Sequence, residues 1–507
     1  MKRPANPRFL ILPFIIALSL SGCATDALKL APEAADKPWK ETKKGDTPRN
    51  FAGDEKDFSV PANPELALIS SPVSVNTQSE YNLAQLIDLA QRSNPATRNA
   101  WEKARQAALA VGMVEATMLP IITANVIGGV QKTSTPVDVP LIGERNVNTT
   151  LRGVTPNIAL QWLVFDFGQR AALADAAKQV SFAANVTFNG LHQKVIFDVT
   201  RTYHEYSAAT AGHRIAEQTL RNSRAVLAAV QAKLNEGRAT TVELALARQQ
   251  VAQSELRIVR AQGQQQTAYQ ALLAAMGVNA MLKINVDAST QHKLPGSFDG
   301  ITQAMLEKAL SQRPDLIVSY AALQASKSGV KAAQAEFMPK VFVAGTLASS
   351  SNSFNAGSLP SIGNQTSGAG ILVGATVPIF DGGFRAAQLR NAQSTQSAAT
   401  ETFRRVQLDA VAEIVLASNA LKTALAANKA AGVLVQTSAT AFDAALESYK
   451  AGLGTVTLVN ETNNALLDAK LAQTDAQAAA RIAAANLAFF TGALTSSKSL
   501  SGVANDL

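Results

Sequence analysis

Cysteine, histidine and aromatic side chains are scarce in this chain, which has one cysteine, four histidines, six tyrosines and three tryptophans in 507 residues. A single thiol excludes a disulfide within the chain. The histidines, His192, His204, His213 and His292, show no metal-ligand spacing. His204-Glu205 begins like a zinc-protease motif, but Ala208 stands where the second ligand is required. No Gly-x-Ser-x-Gly elbow occurs, and Gly128-Gly129-Val130-Gln131-Lys132-Thr133 lacks the Gly-Lys pair of a phosphate loop. No catalytic residue and no metal site is therefore expected. Clustered charge is missing too: the net +8 comes from 46 basic and 38 acidic residues that are scattered along the chain. Without a Lys/Arg stripe interleaved with aromatics, nucleic-acid binding is unsupported.

The amino terminus carries Lys2, Arg3 and Arg8, then an apolar run from Phe9 to Leu20, then Leu20-Ser21-Gly22-Cys23. This is the charged, apolar and small-residue order of a secretory signal, expected over residues 1–22. The tetrad resembles a bacterial lipobox, which implies that the Cys23 thiol takes a lipid and becomes the mature first residue. Ala24 is compatible with outer-membrane sorting in the lipoproteins it resembles. About twelve apolar residues fall short of the roughly 20 that span a bilayer as a helix, and no later run reads as long enough. A lipid-anchored extended segment is expected over 23–80, and a tail over 496–507.

Landmarks recur at a nearly constant offset. Pro95 and Pro314, like Pro120 and Pro339, lie 219 residues apart. Phe165-Asp166 and Phe380-Asp381, Gly237 and Gly452, and Gly277 and Gly492 lie 215 apart. One length change, placed in a polar loop, separates the two sets. The sequence thus predicts two repeats, 81–295 and 296–495, each reading helix, helix, strand, strand, long helix, long helix.

Proline is absent from 168–236, 240–276, 384–451 and 455–490, which are rich in alanine and glutamine. At about 1.5 Å per residue the first of these would extend roughly 100 Å, too far for a compact domain. Small residues at Ala465, Ala469, Ala472, Ala476, Ala479 and Ala483 suit closely packed helices in a coiled coil. The strands begin after Pro120, where Ile122, Ala124, Val126 and Val130 share one face and Thr123, Asn125 and Gln131 the other. In the next strand Ile158, Leu160, Trp162 and Val164 oppose Asn157 and Gln161. Val341 to Leu347 and Ile371 to Ile379 supply two more strands. Lys132 to Arg152 and Ser349 to Gly370 read as external loops.

Four strands of about ten residues match a tilted crossing of an outer membrane. They cannot close a barrel alone, and no water in the bilayer satisfies an open edge, so three copies giving twelve strands are expected. Leu119-Pro120 and Met338-Pro339 opening strands, and Val377-Pro378-Ile379-Phe380-Asp381-Gly382-Gly383 closing one, are similar to the TolC outer-membrane efflux family over about residues 81 to 495. The resemblance implies a mainly α protein with a membrane β-barrel part. It would be a homotrimeric 12-stranded barrel in the outer membrane, continued by a periplasmic α-helical coiled-coil tunnel. It implies no cofactor beyond the covalent lipid, and as partners a periplasmic adaptor, an inner-membrane RND or ABC transporter and outer-membrane lipid.

Gly237, Gly452 and Gly454 fall at turns between long helices, where reversal favours a left-handed position; in the family these tips meet the adaptor and form the constricted pore end. Relatives place acidic residues one turn apart after the second tip, where this chain has Leu458 and Glu461. That leaves one acidic ring and an apolar one, which can itself gate by excluding water. Glu243 stands where relatives carry an acid that ties neighbouring hairpins, but Gly454 replaces its basic partner. Glu243 and Glu461 read either as gate residues or as solvated acids near helix amino termini. Tyr449 either caps the constriction or packs between helices. Export of small molecules is the first functional reading; a type I protein secretion duct and a non-conducting envelope lipoprotein are the alternatives.

Overall fold

A computed structural model describes residues 31–32, 34–38, 58, 60, 63–67, 75–139, 143–288, 294–356 and 360–496. Cys23, the signal segment, most of 23–80 and the tail after 496 lie outside the described residues. Two compact units are present, residues 1–72 and 73–507. Among the described residues of the first, a 3₁₀ turn, Pro64–Ala67, follows Asn63, whose side chain accepts from the Glu65 amide.

The second unit opens with a two-residue strand β1 (Glu80–Tyr81), then α1 (Leu83–Ser93) and α2 (Pro95–Ala116). Asn82 and Gln85 form a reciprocal capping box at the start of α1. Pro95 occupies the first turn of α2, where its missing N–H leaves no bond unmade. Two strands follow, β2 (Ile121–Val139) and β3 (Gly143–Phe165), then the 67-residue α3 (Gln169–Asn235) and α4 (Thr241–Met276). After β4 (Asn285–Val286), which pairs in parallel with β1, the succession repeats. It runs α5 (Gln303–Gln312), α6 (Pro314–Ala335), β5 (Lys340–Ala356), β6 (Ile362–Thr376), α7 (Phe384–Lys450) and α8 (Val456–Phe490).

The strands are longer than the sequence suggested. Ladder pairing between β2 and β3 continues to Val139↔Gly143, and that between β5 and β6 begins at Phe354↔Ile362. The segments read as external loops are therefore mostly hairpin. Ser350 meets Thr155 across strands at 3.0 Å, and such a pair supports a ladder without apolar side chains. The long helices lie within one residue of expectation at each end.

Three apolar clusters hold the helices. Leu86 and Ile87 of α1 are fully buried against Ile196 and Val199 of α3 and Leu272, Leu273 and Met276 of α4. Each such side chain contributes about 1.5–3 kcal/mol. Leu421 and Leu425 of α7 meet Ala480 and Leu487 of α8, and Val226 and Val230 meet Phe442, Tyr449, Val456 and Val459 near the far helix ends. The alanine stripe on α8 divides: Ala469 and Ala483 are buried, whereas Ala465, Ala472 and Ala479 are exposed in the single chain. One window of α7 is apolar and long enough by composition to cross a membrane, and a third of it is buried. This departs from the sequence expectation because alanine raises the hydropathy of α7 without a run of large apolar residues.

Candidate functional site

The four-stranded sheet, in the order β2-β3-β5-β6, is antiparallel throughout and, among the described residues, leaves β2 and β6 with a neighbour on one side only. Its registers fix both faces. Ala124, Ile158, Leu347 and Ala369 form one continuous row, and Ile122, Leu160, Gly345 and Ile371 the next. Trp162, Val343 and Val373 extend this face towards the helices. Much of it is bare: Ile122 is 69% exposed and Ile371 81%. The opposite rows are more polar, with Thr123, Ala159, Thr346 and Gly370 in one and Asn125, Asn157, Ala348 and Gly368 in another. Asn125 donates to Asn157 across the strands at 3.0 Å. From Trp162 to Val154 the apolar face covers about 27 Å of strand, comparable to the roughly 25 Å apolar band of outer-membrane barrels. Beyond Arg152 it turns polar.

Where strands hand over to helices, one clamp occurs twice. Asp166 accepts from the amides of Gly168 (3.2 Å) and Arg170 (3.1 Å) and from Arg170 Nε (2.7 Å). Arg170 Nη1 donates to the Thr117 carbonyl at the end of α2. Asp381 accepts from Gly383, from the Arg385 amide and from Arg385 Nε at 2.6 Å, and Arg385 reaches the Glu336 and Pro378 carbonyls. Burial alone would raise the Asp166 pKa, but the Arg170 hydrogen bonds and charge outweigh it and hold the carboxyl below its ordinary value. The glycines at the head of each helix, Gly168 and Gly383, take φ of 86° and 88°.

The far helix ends are also built alike. Gly237 donates to the Leu234 carbonyl and Arg238 to Lys233; Gly452 donates to Tyr449 and Leu453 to Ser448. These are Schellman closures, with φ of 68° at Gly237 and 82° at Gly452. Gly454 is not left-handed. A Cβ there would lie 3.2 Å from the Tyr449 amide, so close approach, not a positive φ, accounts for it. Thr240 and Glu243 then form a capping box, the Thr240 amide donating to Glu243 Oε2 at 2.7 Å. In the second hairpin Thr455 accepts from the Leu458 amide at 3.3 Å, with no acid to reciprocate. Leu458 is 45% exposed, and Glu461, one turn later, is exposed.

Tyr449 is 2% exposed and belongs to the apolar cluster between the two hairpins. Lys233 donates to its carbonyl and places its ammonium 4.2 Å from the ring centroid. The Tyr449 hydroxyl has no hydrogen-bond partner among the described residues. Burial, and then the charge of Glu243, push its pKa up.

A family profile described as "Outer membrane efflux protein" matches residues 86–278 and 305–493. This chain belongs to the outer membrane efflux protein family. It is an outer-membrane component of an efflux system. Its relatives include the "Pyoverdine export outer membrane protein OpmQ" of Pseudomonas putida, 24% identical over 76% of this chain and 81% of that protein. The "Cation efflux system protein CusC" of Escherichia coli K12 is 26% identical over 49% of this chain, about half (53%) of its own length. The solved CmeC outer membrane channel of Campylobacter jejuni shares the fold with a TM-score of 0.67 at 19% identity, over 94% of this chain and 99% of that one.

Sequence reasoning missed several residues of this efflux protein. Lys233 was legible in principle, since a lysine in a last helical turn faces free carbonyls. The Asp166–Arg170 and Asp381–Arg385 pairs carry only an i,i+4 spacing, which is common on any helix. A buried polar layer, in which Ser223 meets Ser254 at 3.0 Å and Asn463 donates to Ser223 at 3.3 Å, shows no local signal at all.

Proposed function

We propose that three copies of this chain assemble into a 12-stranded barrel continued by a helical tunnel, forming the outer-membrane exit duct of a tripartite small-molecule efflux system. The observation that carries this is the sheet: an apolar face exposed across four strands, with both edges unpaired among the described residues. In a bilayer each open edge leaves backbone groups without partners at several kcal/mol apiece, and closure with neighbouring copies removes that cost. The repeats 81–295 and 296–495 each supply two strands and one long hairpin, supported by the recurring clamps and tip turns. Cys23 carries the lipid that adds a second anchor. The tips at Gly237, Gly452 and Gly454 dock a periplasmic adaptor, which connects to an RND or ABC transporter in the inner membrane. Leu458 and Glu461 line the constriction at this end, with Glu243 beside it. Export of pyoverdine by one relative and of cations by another, as their names state, supports small molecules as the cargo class.

The test is the mass of the detergent-solubilised full-length protein, followed by single-channel conductance in planar bilayers. A trimer that conducts supports the duct. A monomer without conductance overturns it.

A further inference from the structure

Several arginines on the long helices are matched with carboxylates: Arg201 with Glu205, Arg224 with Glu255, Arg404 with Glu401 and Arg405 with Asp409. Between the middle of α3 and the middle of α8 lies an open cavity of about 830 Å³, lined by His204, Arg214, Arg221, Lys470 and Arg481. No carboxylate lines it among the described residues. Gln218 stands one turn from Arg214 and Arg221, and Gln473 and Thr474 one turn from Lys470, where pairing acids would be placed.

Arg214 and Lys470 make no ion pair among the described residues, and Arg221 has only the Gln218 amide oxygen, at 2.7 Å. Glu205 is engaged by Arg201, and Glu217 lies 4.0 Å from His213, outside the lining. His204 Nδ1 is buried without a hydrogen-bond partner among the described residues. Arg214, Arg221 and Lys470 thus line one cavity with no carboxylate in its described lining. A set of guanidinium, ammonium and amide donors is the chemistry that binds carboxylate and phosphate oxygens.

We infer that this cavity binds a small, soluble, multivalent anion bearing carboxylate or phosphate groups, one per chain. A lipid headgroup does not fit the position. His204 lies 35 residues from the start of α3 at Gln169, which is about 50 Å of helix away from the strands. Burial, and then the Arg481 charge, push the His204 pKa down to about 4, so at neutral pH it supplies one N–H donor and no charge. The lining comes from α3, α7 and α8 together with Ala288.

Titrating full-length detergent-solubilised protein with pyrophosphate, and separately with citrate, at low ionic strength in a calorimeter tests this. Saturable binding of one anion per chain is expected, weakened tenfold or more in Arg214→Gln and in Lys470→Gln. Arg404→Gln, whose guanidinium is paired with Glu401, should bind as the wild type does. Absence of saturable binding overturns the site, as does an equal loss in Arg404→Gln. Should the variants fail to fold, acetylation rates in the wild type decide the matter. Pyrophosphate must slow acetylation of Lys470 at least severalfold relative to Lys422, and equal rates overturn the proposal.

Discussion

Glu243 and Leu458 occupy the same place in the two returning helices, the third residue of α4 and of α8, yet only Glu243 can reach back to its capping threonine. Thr240→Ala should therefore cost about 0.5–2 kcal/mol, whereas Glu243→Gln, which preserves the reciprocal bond, should cost little. Leu458→Glu supplies the missing acid and should stabilise the second tip by a few tenths to about 1 kcal/mol. In a conducting channel it should also raise cation over anion permeability, and Glu461→Ala should lower it. Thermal unfolding and reversal potentials in a salt gradient read both; an unchanged selectivity in both variants would remove these positions from the constriction.

Gly237 and Gly452 are left-handed, and a Cβ added at either would meet nothing within 4 Å, so strain alone opposes substitution. Gly237→Ala and Gly452→Ala should each cost about 1–2 kcal/mol, and the asparagine variants less, because asparagine tolerates this region. Gly454→Ala meets the Tyr449 amide instead, so asparagine there should be worse than alanine. Melting temperatures of the six variants separate backbone strain from crowding by the order of Ala and Asn at each site.

The tips were legible because a left-handed closure favours glycine, and Gly237 and Gly452 supply it at one offset. The helices were legible because nothing interrupts them. The strand ends were not. A stretch such as Thr149 to Arg152 has the composition of a loop, and its partners on both sides, Thr133 to Val130 and Ala356 to Ser353, make it strand. Burial of Ala469 but not Ala472 depends on which side of α8 its own chain covers. The partners of Arg170 and Arg385 include carbonyls at Thr117 and Glu336, about fifty residues away, which no local pattern encodes.

The Asp166 clamp gives a signed pH dependence. Its folded pKa is depressed, so its contribution is fully present above the ordinary aspartate value and is lost as pH falls through the folded value. Asp166→Asn should destabilise by on the order of 1–3 kcal/mol near neutrality. The gap between wild type and variant should close as the pH is lowered below about 4. A gap constant down to pH 2 would show that the carboxylate charge is not what holds Arg170.

The two sheet faces should respond in opposite ways to the same charge. Ile371→Arg places a guanidinium on the apolar face and should destabilise the membrane-inserted protein by about 2–4 kcal/mol if it lies near the midplane. Thr346→Arg on the other face should leave insertion intact and change conductance and ion selectivity. Heat-modifiability on gels and planar-bilayer recordings distinguish them. If Thr346→Arg abolished insertion and Ile371→Arg did not, the polar face would be the one turned to lipid.

Tyr449 offers a sharper separation of packing from gating, because its ring and its hydroxyl are differently placed. The ring is buried among Phe442, Val456 and Val459 under Lys233, while the hydroxyl is buried with no partner among the described residues. Tyr449→Phe removes an unsatisfied polar atom and should be neutral or stabilising by up to about 1 kcal/mol. Tyr449→Ala empties the cluster and should cost about 3–5 kcal/mol. Lys233→Met should lose about 1 kcal/mol through the carbonyl bond and the cation–π contact. A residue that only packs lets Tyr449→Phe conduct as the wild type does. A phenylalanine variant that is fully stable but conducts more would mean that the hydroxyl finds its partner on a neighbouring copy at the constriction, so that the same side chain both fills the core and closes the pore.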